Sequence, residues 1–248
     1  MLPAHGQPED NFHPEADGLN KKGVLLVYVL LSSSAAALLL FLAWEGSMQP
    51  SRPSFADKAI VCMLFMASCL LGIVLSARPR FLGGKKKGRP TEPPEGADQP
   101  RYLAHHPDCG SFQERIVSVR GISYCGGCLG LMVGSAVALA LSLLYLFGLD
   151  LDAREGLIVT VLGMVIVAFC LAGIGSRRGS NRSHLLANAL LVIGFFLVTM
   201  GTLSATGSAA YGLVAVILCF LWLDARIQIS DWRHARTCRA CGRGCGFY

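Results

Sequence analysis

The stretch from His105 to Gly130 reads HHPDCGSFQERIVSVRGISYCGGCLG, and it carries His105, His106, Cys109, Cys125 and Cys128, all residue types that ligate transition metals. Two glycines separate Cys125 from Cys128, the gap that lets two sulfurs reach one ion from a tight turn. Cys109 with His105 or His106 completes a tetrahedral set. A second group, His234, Cys238, Cys241 and Cys245, lies in the C-terminal sequence HARTCRACGRGCGFY. Zinc suits both groups because it accepts mixed sulfur and nitrogen ligands, and Gly242, Gly244 and Gly246 allow the backbone to wrap an ion. The chemical alternative is an iron–sulfur cluster, which closely spaced cysteines can hold. The two groups can also share one site, and the bland reading of the second is a basic tail whose thiols do nothing.

Cys125 and Cys128 are equally a dithiol of the kind a membrane oxidoreductase uses. A helix starting near Cys128 would turn its N-terminal amides toward that thiol and favour the thiolate, which helps metal ligation and nucleophilic attack alike. Cys109 and two histidines have no part in simple dithiol exchange, so their company favours the metal. Asp108, Glu114 and Arg115 offer a polar set beside the ion, although hairpin charges are more often simply solvated.

These ligands need elements to position them. Ile116-Val117-Ser118-Val119 and Ile122-Ser123-Tyr124 flank Arg120-Gly121, which predicts two short strands joined by a glycine turn. Such a hairpin brings the early ligands back beside the late pair. An uncharged apolar run follows at once, so the ligand stretch stands at the mouth of a membrane helix.

The whole chain has 248 residues, 53% hydrophobic and 15% charged, with a mean hydropathy of +0.50. Those values predict an all-α integral membrane protein. Six apolar runs carry no charge: Gly23–Trp44, Ala59–Ala77, Leu129–Leu149, Gly156–Gly175, Leu185–Thr206 and Gly207–Leu223. Each is about 17 to 22 residues long, close to the length that crosses ~30 Å of hydrocarbon as a helix. The last two are divided at Ser204–Ser208, where Ser, Thr and Gly cluster as a turn. A polar segment precedes the first run, which is longer than a signal-peptide core, so it reads as an uncleaved anchor.

Counting Lys and Arg orients the spans. With the N-terminus inside, 19 of the 22 basic residues fall on the cytosolic side, against Arg52, Lys58 and Arg154 outside, as the positive-inside rule requires. Both ends and the Cys/His hairpin are then cytosolic, and the protein is a multi-pass protein of the plasma membrane. The net charge of +6 follows from topology and anionic lipid headgroups, with no nucleic-acid partner required.

The organisation expected is a disordered N-terminus over 1–22, a transmembrane hairpin over 23–77, a basic Pro/Gly-rich linker over 78–100, the Cys/His hairpin over 101–128, a four-helix bundle over 129–223 and a Cys-rich tail over 224–248. Cys62, Cys69, Cys170 and Cys219 fall inside spans, where cysteine behaves as a small apolar residue. Gly126, Gly130 and Gly134 recur every four residues and mark a stripe where a neighbouring helix can approach. The span interiors hold no ionisable residue and Asn188 is their single side-chain amide, with His184 and Asp224 at span ends. That argues against an ion or proton pathway.

His105, Ser111-Phe112 and Cys125-Gly-Gly-Cys128-Leu-Gly130, followed by a span containing Gly134, resemble an uncharacterised prokaryotic membrane-protein family of unknown function. Its members carry a His segment with Ser-Phe and then Cys-Ala-Arg-Cys-Thr-Gly leading into a helix. The likeness covers about 30 residues; Gly110, Gly127 and Leu129 depart from the pattern. It implies a membrane-embedded helical fold and a Cys motif, and no reaction. The functions this sequence supports are a membrane protein with a zinc site, a thiol or iron–sulfur oxidoreductase using Cys125 and Cys128, and an assembly subunit that recruits a protein partner through its tail.

Overall fold

Hydropathy dictates the architecture, because an apolar run of about 20 residues in lipid can satisfy its backbone groups only as a helix. A computed structural model describes residues 14–49, 52–77, 102–103, 116–119, 122–173 and 181–241. Six of its helices are long and apolar enough to cross a membrane. They are α1 (Pro14–Ser47), α2 (Phe55–Ala77), α3 (Gly126–Gly148), α4 (Ala153–Gly173), α5 (Asn181–Thr206) and α6 (Ala209–Cys241). Between α2 and α3 lie three strands, β1 (Tyr102–Leu103), β2 (Ile116–Val119) and β3 (Ile122–Cys125).

Two helices depart from the expected bounds. The first begins at Pro14, so residues 14–22, expected to be disordered, are helical; proline's fixed φ suits the first turn of a helix and costs it no hydrogen bond there. The sixth runs on to Cys241, so most of the expected tail is helix. No Gly or Pro interrupts residues 213–241, and a started helix propagates until something stops it.

The turn between α5 and α6 is narrower than Ser204–Ser208. Helix α5 continues to Thr206, and Gly207, at φ 64°, closes it by donating its N–H to Leu203 O at 2.9 Å. That left-handed conformation is the usual glycine stop.

Helix α5 is the axis of the bundle: 67% of its apolar window is buried, against 11% for α1. Leu191, Val198, Met200 and Leu203 are completely or almost completely enclosed. Close approach rather than bulk creates this packing, as expected where helices associate in lipid. A Cβ at Gly163 on α4 would stand 2.7 Å from Val198 N, and one at Gly201 on α5 would stand 2.6 Å from Thr160 N. The stripe on α3 serves the same purpose, for a Cβ at Gly130 would meet Leu185 O at 2.3 Å and one at Gly134 would meet Ala189 O at 2.7 Å.

The helix ends fall into two sets. At one end Gly46 abuts Ala205 and Thr206, and Lys58 pairs with Asp150. At the other Tyr28 donates to Asp224 Oδ2, Trp222 Nε1 donates to Ser32 O at 3.2 Å, and α3 starts against α5. Arg52, Lys58 and Arg154, the three basic residues that the charge count places together on one side, all belong to the first set.

Candidate metal centre

The strands form one sheet in the order β1-β3-β2, with β3 in the middle. Strand β2 runs antiparallel to β3, with Ile116 opposite Cys125 and Val119 opposite Ile122, so the expected hairpin is present and extends to Cys125. Strand β1 runs parallel to β3, with Leu103 opposite Tyr124; sequence patterning had not called for this strand. The chain therefore leaves β1 and enters β2 on the two flanks of the residues that lead into the Cys-Gly-Gly-Cys turn.

Cys125 ends β3 and is also the N-cap of α3, in extended conformation at φ −67° and ψ 126° and with no side-chain hydrogen bond capping the helix. Cys125, not Cys128, thus marks where the helix begins. Cys128 lies within the first turn, where its thiol interacts with that of Cys125. Both side chains are partly accessible, so the two sulfurs already converge at a reachable point.

The turn sits on α5. Asn188 Nδ2 is 3.2 Å from the place a Gly127 Cβ would take, and the Cys125 sulfur is 3.8 Å from that same place. A side chain at Gly127 would require Asn188 to give by a few tenths of an ångström, while the Cys125 sulfur would be in ordinary contact. Asn188 is itself buried; it donates to His184 O at 2.9 Å and accepts from Arg226 Nη2 at 3.3 Å. Arg226 is only 8% exposed and lies within electrostatic reach of Cys170 on α4.

Sequence reasoning missed this cluster. The sixth apolar run ends at Leu223, whereas the stretch of α6 long and apolar enough to cross a membrane extends to Ser230 and takes in Asp224 and the buried Arg226. The absence of a helix breaker after Leu223 was the available signal.

The remaining ligand candidates are distributed unevenly. His105, His106, Cys109 and Cys245 lie outside the described residues, as do Asp108, Glu114, Arg115 and the linker 78–100. His234, Cys238 and Cys241 are on α6, where positions i, i+4 and i+7 fall on one stripe of a helix. Among the described residues no group of three or more His, Cys, Asp or Glu is placed to hold an ion. Cys62, Cys69, Cys170 and Cys219 are buried; Cys69 and Cys219 line an apolar cavity of about 90 Å³ with Phe65, Phe195 and Val216.

At the opposite end Lys58, 9% exposed, pairs with Asp150, donates to Leu149 O at 3.3 Å and stands 5.3 Å over the Tyr145 ring. The hydrogen bond and charge of Lys58, with Arg52 adding to them, hold the Asp150 carboxyl below the usual carboxylate range. This arrangement joins α2 to the α3–α4 connection and offers no open coordination chemistry.

No family model, curated protein or solved structure matches the chain. The likeness around the cysteine motif therefore rests on its residues alone.

Proposed function

We propose that the protein is a multi-pass membrane protein of the plasma membrane, with both ends cytosolic, that holds zinc in a Cys/His centre at the cytosolic end of α3. Cys125 and Cys128 supply two ligands, and His105 or His106 with Cys109 supply the others. One observation carries the reading: β1 and β2 flank β3, so both ends of the segment 104–115 are anchored beside Cys125. His105 follows Leu103 by two residues, which limits it to about 7 Å from that residue's Cα, and adjacent strands are about 4.8 Å apart. Zinc in that place staples the strands and their loop to the membrane bundle and contributes its binding energy to folding.

The tail group is read as a separate site. Helix α6 passes the cysteine turn near Arg226 and, rising ~1.5 Å per residue, carries His234 about 12 Å and Cys238 about 18 Å farther along its axis. A single shared ion would require α6 to break.

A second reading, a dithiol oxidoreductase, is favoured by two free, partly accessible cysteines three positions apart at the start of α3. Two thiols so placed can close to a disulfide when a partner disulfide accepts their two electrons and two protons.

Elemental analysis with an absorption spectrum of the detergent-purified protein, beside a Cys125→Ser/Cys128→Ser variant, separates these readings. Zinc at about one or two ions per chain, lowered in the variant, is the expected result. Visible absorption with iron instead promotes a cluster. A metal-free protein whose Cys128→Ser variant traps a mixed disulfide replaces zinc by dithiol exchange. A metal-free protein without thiol exchange leaves recruitment of a partner through residues 233–248, which a pull-down with and without the tail examines.

A further inference from the structure

A serine within an apolar helix can satisfy its hydroxyl by bonding back to the carbonyl one turn earlier. Ser68 and Ser142 do so, donating to Leu64 O at 2.9 Å and to Ala138 O at 2.7 Å. Ser135 on α3 does not. Among the described residues its hydroxyl has no hydrogen-bond partner, although the residue is only 4% exposed, and a buried hydroxyl left unpaired costs free energy. Ser135 lines the apolar cavity of about 90 Å³ between α2, α3, α5 and α6, and its Oγ stands 3.6 Å from the place a Cβ would take at Gly72, on the α2 wall of the same cavity. Gly72 differs from Gly130 and Gly134, where a Cβ would strike the backbone of α5. Among the described residues a Cβ at Gly72 would meet only Ser135 Oγ, at ordinary contact distance, so helix packing does not require glycine there, and glycine weakens a helix interior relative to alanine. Its effect is to leave the cavity open.

We propose that this cavity is a binding site for an apolar, membrane-soluble molecule bearing a carbonyl oxygen, which accepts a hydrogen bond from the Ser135 hydroxyl. Water does not suit the site, because a buried water needs about two to four polar partners and the other hydroxyl on the wall, Ser68, is already engaged with its own helix. A ligand hydroxyl would bring both a donor and an acceptor into a cavity that pairs only one of them; a carbonyl asks for a donor alone. Phe65, Phe195 and Phe220 supply aromatic surface, against which a ring or an acyl chain packs. Phe220 is 47% exposed, so the cavity reaches the outer apolar surface of the bundle, and a molecule dissolved in the bilayer can enter from the side. Two sources carry this chemistry: a quinone, through a ring carbonyl, and an acyl lipid, through its ester. The site does not depend on a metal at the cysteines.

Native mass spectrometry of the full chain, released from detergent after titration with one probe at a time, tests the site. The probes are a decyl-substituted benzoquinone and a single-chain acylglycerol. Saturation at a single bound molecule per chain is the expected result, and the probe that binds names the source. Ser135→Ala should weaken that binding by about tenfold, the worth of one hydrogen bond, without lowering the thermal midpoint of the unliganded protein, since the hydroxyl has no protein partner to lose. Gly72→Leu, which fills the cavity, should abolish binding; should that variant fail to fold, Ser135→Ala decides alone. No binding of either probe, unchanged affinity in Ser135→Ala, a lowered unliganded midpoint in that variant, or undiminished binding in a folded Gly72→Leu would each overturn the proposal.

Discussion

The two ends of the helix bundle use polar residues in opposite ways. At the end closed by the short connections 149–152 and 207–208, several polar groups have a local purpose. Ser54 and Asp57 cap α2 reciprocally, at 3.1 Å and 3.2 Å, and Asp152 and Glu155 do the same for α4, at 2.7 Å and 3.0 Å. Tyr145 and Ser204 share a buried hydrogen bond of 2.7 Å. These are the capping boxes and paired hydroxyls that a helical fold requires at its ends. At the other end α3 has an N-cap with no capping side-chain bond, two thiols converge, and an amide and a guanidinium are buried behind them. Local stability would be served better there by a Ser or Asp cap and an apolar residue at Arg226. The contrast teaches that the cysteine end leaves unmade the caps that would stabilise it locally, whereas the opposite end makes them and holds the helices together.

Substitutions can break or sharpen that contrast. The largest effect is expected from Gly130→Leu, because the nearest obstruction is the backbone oxygen Leu185 O, which cannot turn aside; destabilisation of about 3 kcal/mol or more is expected. Gly148→Leu, at the opposite end of the same helix, meets only the end of the Leu144 side chain at 3.6 Å and should change stability by less than about 0.5 kcal/mol. Thermal unfolding of both variants in one detergent checks the pair, and equal losses would erase the asymmetry.

A smaller effect comes from the paired hydroxyls. Ser204→Ala leaves the buried Tyr145 hydroxyl without its partner and should cost about 1–3 kcal/mol, whereas Tyr145→Phe should cost about 1 kcal/mol. Asp152→Ala removes one half of a capping box and should also cost about 1 kcal/mol. None of these should alter the zinc content measured for the proposed centre, and a variant at this end that changed it would show that the two ends are not independent.

The smallest effect is pH-dependent. The Asp150 carboxyl is held below its ordinary value by Lys58, so its contribution is fully present above the unfolded value of about 3.9. It is lost as pH falls through the lower folded value. Asp150→Asn should therefore lower the thermal midpoint slightly at neutral pH, and the gap should close in strong acid. Because Asp150 is 82% exposed, raised salt should shrink the gap at neutral pH as well. A gap that persists in acid would mean that Lys58 is held by the Leu149 carbonyl and the Tyr145 ring rather than by the carboxylate.

Much of this was legible in the chain. Each apolar run became a helix, the valine- and isoleucine-rich pair around Arg120-Gly121 became an antiparallel pair, and the small-residue stripe of α3 packs where its period predicts. Each of these depends on residues near one another in sequence. Periodicity failed where a continuation had to be recognised. Pro14 opens a helix in a segment whose composition suggested disorder, and α6 continues past Leu223 because nothing stops it.

What the sequence by itself determined is the number of spans, the charge difference between the two bundle ends, and the supply of ligand-type residues next to α3. Hydropathy, helix period and residue chemistry are properties of short windows, and the bilayer leaves few alternatives for an apolar window. Only the tertiary structure decided that β1 lies parallel to β3, that Asn188 of α5 stands against Gly127, and that Arg226 of α6 is buried behind Asn188. Those relations join residues as much as 61 positions apart, and they depend on which helix face packs against which, a choice that no local pattern encodes.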